Sequence, residues 1–119
     1  MFSIKVEDVF SSAHNLRGYK GKCEELHGHN WRVQVEVAGE KLDKAGMLLD
    51  FKAMKAKLKG VLGGLDHKYL NNIPYFKKVN PTSENIARYI YDRVKAQGLK
   101  VNAVTVWESE NSRATYYVK

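Results

Sequence analysis

Residues 30–38 read NWRVQVEVA, a stretch in which every second side chain is apolar. One tryptophan and three valines alternate with charged or polar residues, the pattern of a strand with one buried and one wet face. Residues 2–10 alternate in the same way and predict a second strand. Residues 100–108 and 113–118 predict two more, joined by a short polar turn. The chain therefore contains four predicted strands, two at each end.

Two helices are predicted between these strand pairs. Asp50 is the N-cap of the first, whose apolar residues recur at helical spacing as far as Leu62. The second follows Pro81-Thr82-Ser83 and stops at Gly98. Residues 47–49 are predicted to be extended and residues 65–80 irregular. The order β-β-α-α-β-β predicts an α+β fold, an antiparallel sheet with both helices on one face, and its open face predicts association with further copies.

The composition restricts the class of protein and partner. With 119 residues, 44% hydrophobic and 28% charged, the chain is predicted to be one globular domain, residues 1–119. The net charge of +7 suits an anionic partner such as a phosphorylated small molecule. No nucleic acid is expected, because the aromatic residues are not interleaved with the basic ones. No apolar run is long enough for a membrane span. The single cysteine fits a cytoplasmic protein.

Three histidines form a candidate metal site. His27 and His29 stand at the entry to the second strand, and residues two apart in a strand point to the same side. His14 follows the first strand, and pairing of the two strands brings it close to the others. Three histidines without a fourth protein ligand are typical of catalytic zinc, which keeps a position open for water or substrate. Each histidine alone is equally compatible with a structural or exposed role.

Cys23, four residues before His27, has two possible roles. It is either the fourth ligand of a closed, structural zinc site, or a base or nucleophile. The nearby cations Arg17, Lys20 and Lys22 would favour its thiolate. Composition does not separate a ligand from a base.

Two further positions carry candidate chemistry. Asp66 and His67 are adjacent, and a carboxylate beside an imidazole suits a proton relay, although Asp66 could equally cap a turn. Glu108 ends an apolar strand, where it could accept two hydrogen bonds from a planar N–H/NH₂ edge or be a solvated charge.

Taken together, these motifs resemble the family of 6-pyruvoyltetrahydropterin and 6-carboxytetrahydropterin synthases over about residues 10–110. The motifs, in family order, are Ser12-Ala13-His14, Cys23-x-x-x-His27-Gly28-His29-Asn30, Gly46-Met47-x-x-Asp50-Phe51, Leu65-Asp66-His67-x-x-Leu70-Asn71, Asn80-Pro81-Thr82-Ser83-Glu84-Asn85 and Glu108. The short chain and the Cys–His spacing are most similar to the bacterial 6-carboxytetrahydropterin synthase branch, which serves queuosine and other deazapurine biosynthesis.

The resemblance implies a tunnelling fold (T-fold), with a four-stranded antiparallel sheet and two helices on one face. It also implies a homohexamer made of two trimeric barrels. The implied site has Zn²⁺ on His14, His27 and His29, Cys23 as catalytic base, Asp66 and His67 as its proton-relay partners, and Glu108 with Thr82 and Ser83 binding the pterin. The implied reaction converts 7,8-dihydroneopterin triphosphate into 6-carboxy-5,6,7,8-tetrahydropterin, releasing acetaldehyde and triphosphate.

Besides a zinc enzyme that acts on an unrelated phosphorylated metabolite, three alternatives accompany this interpretation. One is 6-pyruvoyltetrahydropterin synthesis. Another is cleavage of dihydroneopterin to 6-hydroxymethyl-dihydropterin for folate synthesis, because a related branch carries a glutamate in place of the cysteine and this chain has Glu24 beside Cys23. The third, from a different class, is a non-catalytic domain whose Cys23 closes a structural Cys-His₃ zinc site.

Overall fold

The protein is an α+β structure built on one mixed sheet, and the computed structural model describes residues 1–18 and 25–119. The strands are β1 (Phe2–His14), β2 (His27–Gly39), β3 (Lys68–Tyr69), β4 (Val101–Ser109) and β5 (Ser112–Tyr117), and the helices are α1 (Phe51–Gly63), α2 (Pro74–Lys78) and α3 (Ser83–Ala96). The strand order is β3-β1-β2-β4-β5. All neighbours are antiparallel except β3, which runs parallel to β1.

The four predicted antiparallel strands are confirmed, and two are longer than their hydrophobic pattern. β1 continues to His14 and β2 already begins at His27. Polar residues interrupt the apolar alternation there, although the backbone ladder continues through them. The ladder pairs Phe10 with Trp31 and His14 with His27. Because side chains alternate along a strand, these pairs lie on the same face of the sheet.

The two predicted helices are confirmed with their caps. The Asp50 side chain accepts a hydrogen bond from Lys52 N at 2.8 Å, and the Thr82 hydroxyl accepts one from Asn85 N at 3.1 Å. Helix α1 packs against β1 and helix α3 against β4 and β5, so their buried apolar residues share one core with the inward face of the sheet. No helix of the described residues is long and apolar enough to cross a membrane.

Two local predictions were wrong. Residues 65–80 are not irregular, since they contain β3, a turn of 3-10 helix (Leu70–Asn72) and α2. These elements are too short to produce a periodic apolar pattern. Residues 47–49 bend instead of forming a strand. The Asp43 carboxylate accepts hydrogen bonds from the N–H groups of Ala45 and Met47, and this turn redirects the chain ahead of α1.

The second face of the sheet carries no helix among the described residues. Arg32 pairs with Glu7 on this face and lies over Trp107, 4.3 Å from the ring centroid, while Arg113 covers the same ring at 5.6 Å. Val9 remains 54% exposed. The face is thus largely polar and open, as the sequence predicted.

Candidate metal and active site

Three imidazoles and one carboxylate converge at one end of the sheet. His14, His27, His29 and Glu108 each offer a ligand atom, and these atoms all lie within 4.8 Å of one another. The register explains the convergence, because His14 pairs with His27 and Ser12 pairs with His29 on the helix-covered face. Glu108 reaches the same place from β4. The strand pairing expected from the sequence therefore does bring the three histidines together.

Backbone carbonyls fix the tautomer of two of these rings. The Nδ1 atom of His14 lies 2.7 Å from the Pro81 carbonyl oxygen, and that of His27 lies 2.7 Å from the Glu25 carbonyl oxygen. A carbonyl oxygen only accepts, so each Nδ1 carries the proton and donates it. In the neutral rings the lone pairs are consequently on Nε2.

The cluster fits a metal ion. The Nε2 atoms of His14 and His27 face each other at 2.9 Å. When each ring is neutral and carries its proton on Nδ1, neither Nε2 atom has a proton to share with the other. The Nε2 atom of His29 is buried and, among the described residues, has no partner with hydrogen-bond alignment, although Glu108 Oε1 is 3.0 Å away. Lone pairs turned towards a common point need a cation to offset their repulsion. Carbonyl groups that accept the second ring N–H of a histidine ligand are also the usual outer shell of metal sites.

The local electrostatics keep two of these rings neutral. Burial lowers the pKa of His14, an effect that the hydrogen bond to the Pro81 carbonyl partly opposes and the nearby His27 reinforces. Burial is also the main cause that lowers the pKa of His29, an effect that Glu108 partly opposes. A neutral imidazole is the form that binds a metal, so the free cluster is ready to accept one.

Glu108 and Ser83 lie together beside the cluster. The Ser83 hydroxyl donates to Glu108 Oε2 at 3.4 Å, and Ser83 is itself buried. The hydroxyl of the neighbouring Thr82 accepts a hydrogen bond from Asn85 N as the N-cap of α3. The first turn of α3 therefore delivers one of the two predicted hydroxyl groups to the glutamate.

Asp66 and His67 form a pair at the edge of β1, separate from the metal-ligand cluster. The Asp66 carboxylate accepts from Ser11 N at 2.8 Å and from His67 Nδ1 at 3.0 Å. The Ser11 N–H bond is the main cause that lowers the pKa of Asp66, and His67 adds to it. His67 adopts a left-handed backbone with φ of 55°, and its N–H donates to Ser11 O at 2.6 Å.

One residue of this pair and one residue of the histidine cluster border a common cavity. His29 and His67 both line a cavity of about 460 Å³, with Ser11, Asn30 and Lys68 among its other walls. The His67 side chain is 84% exposed, so it is available to a group that enters the cavity. A larger cavity of about 630 Å³ lies around Val37, Leu48 and Leu99 and contains none of the predicted site residues.

Cys23 and its neighbour Glu24 lie outside the described residues, as do Lys20 and Lys22. Their predicted roles accordingly remain predictions. The structure also places groups at the site that no sequence motif indicates. The carbonyls of Pro81 and Glu25 orient the histidines, and a backbone carbonyl leaves no signal in a sequence pattern.

Comparison with known proteins agrees with this geometry. The profile of the 6-pyruvoyl tetrahydropterin synthase family matches residues 3–119. The chain belongs to this family. Its members act on pterins, which makes the histidine cluster of this pterin-synthase-family chain the candidate active site.

Individual relatives agree with this assignment. The chain is 34% identical to 6-carboxy-5,6,7,8-tetrahydropterin synthase of Haemophilus influenzae, an alignment that covers 98% of this chain and 99% of the relative. It is 37% identical to dihydroneopterin monophosphate aldolase of Pyrococcus furiosus, over 83% of this chain and 82% of the relative. Among solved structures, 6-pyruvoyl tetrahydropterin synthase of Caenorhabditis elegans superposes with a TM-score of 0.89 and 29% identity, covering 99% of this chain and 96% of that one. The predicted T-fold is thereby confirmed.

Proposed function

We propose that the chain is a zinc-dependent 6-carboxy-5,6,7,8-tetrahydropterin synthase. The observation that carries this assignment is the convergence of three histidine Nε2 atoms, two of them with Nδ1 committed to a carbonyl oxygen. Three neutral imidazoles with an open position are the ligand set of catalytic zinc. The nearly full-length likeness to the Haemophilus influenzae synthase favours that reaction among those of the family. The substrates would be 7,8-dihydroneopterin triphosphate and one water molecule, and the products 6-carboxytetrahydropterin, acetaldehyde and triphosphate.

Glu108 is the residue proposed to hold the pterin ring. A carboxylate accepts two hydrogen bonds from the N–H and NH₂ groups along one edge of such a ring, and a charged acceptor strengthens both. Ser83 supports this role, since its hydroxyl contacts one carboxylate oxygen and steadies the side chain. The net charge of +7 suits a triphosphate substrate.

The proton transfers are assigned to Cys23, Asp66 and His67. When bound to the three histidines, zinc would supply Lewis-acid polarisation of the substrate's side-chain oxygens. Cys23 would remove the proton from the adjacent carbon as a thiolate, a state that neighbouring cations favour. The Asp66 carboxylate holds the His67 ring through Nδ1. Within residues 1–18 and 25–119 no group binds the His67 Nε2 atom, which would exchange a proton at the cavity that His67 lines.

Assembly into a hexamer of two trimeric barrels is part of the same proposal. Among the described strands, β1 is paired on its outer side only at Ser12 and Ala13, and β5 has a neighbour on one side only. Two open edges allow sheets of successive copies to join head to tail into a closed barrel. The polar, uncovered face of the sheet would then line the barrel.

Cleavage of a dihydroneopterin phosphate is the second candidate. The Pyrococcus furiosus relative carries an aldolase name at the same level of identity, and Glu24 stands beside Cys23 as an alternative base. Turnover separates the two reactions. The zinc-loaded chain is incubated with dihydroneopterin, its monophosphate and its triphosphate, and the products are identified by mass.

Formation of 6-carboxytetrahydropterin and acetaldehyde from the triphosphate supports the synthase. A hydroxymethyl-dihydropterin product from the other two substrates would instead assign the aldolase. The metal-free chain, prepared with a chelator and then reloaded, is the control for zinc dependence. Alkylation of Cys23 in the zinc-loaded chain provides a further check, because a fully protected thiol would identify a closed structural site and overturn the catalytic assignment.

A further inference from the structure

Two motif asparagines hold the segment that directly follows His14. The Asn71 side chain accepts from Asn15 N at 3.0 Å and donates to Asn15 O at 2.9 Å. The Asn80 side chain does the same two residues later, accepting from Arg17 N at 3.0 Å and donating to Arg17 O at 2.8 Å. Each amide therefore binds both polar groups of one backbone residue.

The second of these clamps is continuous with an outer-shell contact of the metal site. Asn80 precedes Pro81, whose carbonyl oxygen accepts the His14 Nδ1 proton. The Asn85 side chain also donates to Asn80 O at 2.9 Å, which ties the same peptide to the start of α3. His14, Arg17, Asn80 and Pro81 thus close a ring of hydrogen bonds on one side of the ligand.

A third contact holds the clamped segment on the same side. The Arg17 guanidinium donates to Val79 O at 3.0 Å and also to Phe76 O. These contacts join residues 15–17 to the chain between α2 and α3. Since the ligand atom of His14 sits on a ring that is fixed at Nδ1 by Pro81, a shift between these two segments would turn or displace the imidazole.

The chemistry of the asparagine side chain explains why this residue suits the task. Its amide carries an acceptor oxygen and a donor NH₂ in one plane, which matches the N–H and C=O of a peptide. Two bonds fix the tilt of the clamped residue as well as its distance. Asn71 is 7% exposed, so loss of its amide would leave the Asn15 groups poorly solvated.

We propose that Asn71 and Asn80 are positioning residues of the metal site. They set the orientation of His14 by locking residues 15–17, Asn71 against the turn Leu70–Asn72 and Asn80 against the segment that carries Pro81. This inference rests on the proposed function, because it assigns the histidine cluster to a metal. Mutation of a residue that holds a metal ligand in place typically weakens metal binding by about 10–100-fold. Neither asparagine touches the metal or the substrate, and each acts through the position of His14.

The test measures metal binding in Asn80→Ala and Asn71→Ala. Zinc affinity is determined by competition with a chelator, and the visible spectrum of Co²⁺ in the same site reports ligand geometry. We expect about tenfold weaker zinc binding and a changed Co²⁺ spectrum in both variants. Asn102→Ala is the matched control. It also removes one asparagine amide, which bonds Glu36 on the sheet, and it should leave affinity and spectrum unchanged.

Two outcomes would overturn the inference. Variants that lose thermal stability but keep the wild-type zinc affinity and Co²⁺ spectrum would have only a structural role. An Asn102→Ala chain with the same changes would show that the effect is not specific to the clamps. If an alanine variant does not fold, Asn80→Asp is the alternative variant. Aspartate has the same size and still accepts from Arg17 N, but its second oxygen repels the Arg17 carbonyl oxygen, so the Co²⁺ spectrum should still change. If the wild-type chain itself binds no zinc, the proposed function is overturned. This outcome is distinguishable from failure of the inference, because it is measured on the wild-type chain without any variant.

Discussion

The chain has two sites that contain histidine, and they are built in opposite ways. His14, His27 and His29 lie on regularly paired strands, and His14 is 1% exposed. The pair of Asp66 and His67 sits in a turn at the sheet edge, and the His67 side chain is 84% exposed. Metal ligands need fixed, dry positions, whereas a proton relay needs access to the reacting group. The architecture of each site matches its proposed task.

The largest effect should come from removing a ligand from the buried site. His29→Ala leaves two imidazoles, which do not hold an ion in an open tetrahedral site, so we expect zinc content and activity to fall together. The loss should exceed the about 10–100-fold that an outer-shell change produces. Elemental analysis and turnover measure it. His67→Ala, which removes a histidine from the exposed pair, is the matched control and should keep one zinc per chain. Retention of zinc by His29→Ala would refute the ligand assignment.

A loss in activity alone, with zinc retained, is expected for Cys23→Ala. A general base typically contributes about 10²–10⁴-fold, so turnover of the triphosphate should fall by that range while zinc stays bound. Glu24→Gln is the matched control for this reaction and should affect only cleavage of dihydroneopterin or its phosphate. Full activity of Cys23→Ala on the triphosphate would contradict its assignment as the base. A wild-type chain that never forms the cleavage product would remove the second role of Glu24.

Glu108→Gln tests whether Glu108 is a metal ligand or a substrate anchor, because this carboxylate lies in the candidate ligand cluster and is also proposed to hold the pterin ring. The amide keeps the shape but turns one acceptor into a donor, which then faces a donor edge of the pterin. We expect about 2–4 kcal/mol weaker substrate binding with zinc retained. Michaelis constants and elemental analysis provide the measurement, with the exposed Glu110→Gln as control. Loss of zinc in Glu108→Gln would make the carboxylate a metal ligand instead.

The comparison also explains what the sequence could predict. The alternation around Trp31 and Phe10 fixes which face of each strand is buried, and the histidine spacing follows from the same period of two. The convergence of the three imidazoles was therefore predictable. The carbonyls of Pro81 and Glu25 were not, because every residue has one and its direction depends on tertiary structure.

The turn at residues 65–68 is a second feature that the sequence pattern does not predict. The Ser12 hydroxyl donates to Leu65 O, and Lys68 pairs with Ser12 in the parallel bridge. Contacts 53 or more residues apart in sequence thus position Asp66 and His67, and no local pattern records them. The adjacency of the two residues suggested a pair, but only these contacts turn the carboxylate towards both Ser11 N and His67.

The smallest predicted effect concerns the stability that the Asp66 carboxylate contributes. Hydrogen bonds from Ser11 N and His67 lower its pKa below the ordinary value of 3.8, so the folded chain favours the charged form. A lowered pKa contributes stability that is fully present above the unfolded value and is lost as the pH falls through the folded value. The difference in urea midpoint between wild type and Asp66→Asn should therefore be constant near neutral pH and narrow below about pH 3.8.

His67→Ala separates the two causes of this pH dependence. Since the Ser11 N–H bond is the largest single cause and does not involve the imidazole, this variant should retain part of the narrowing against a matching Asp66→Asn/His67→Ala chain. Complete loss of the narrowing in the His67→Ala background would mean that the exposed imidazole, and not the β1 backbone, holds the carboxylate. The Asp66 carboxylate would then be held by His67 and not by its hydrogen bond to the β1 backbone. A difference in urea midpoint that stays constant down to pH 3 in the wild-type background would contradict the lowered pKa itself.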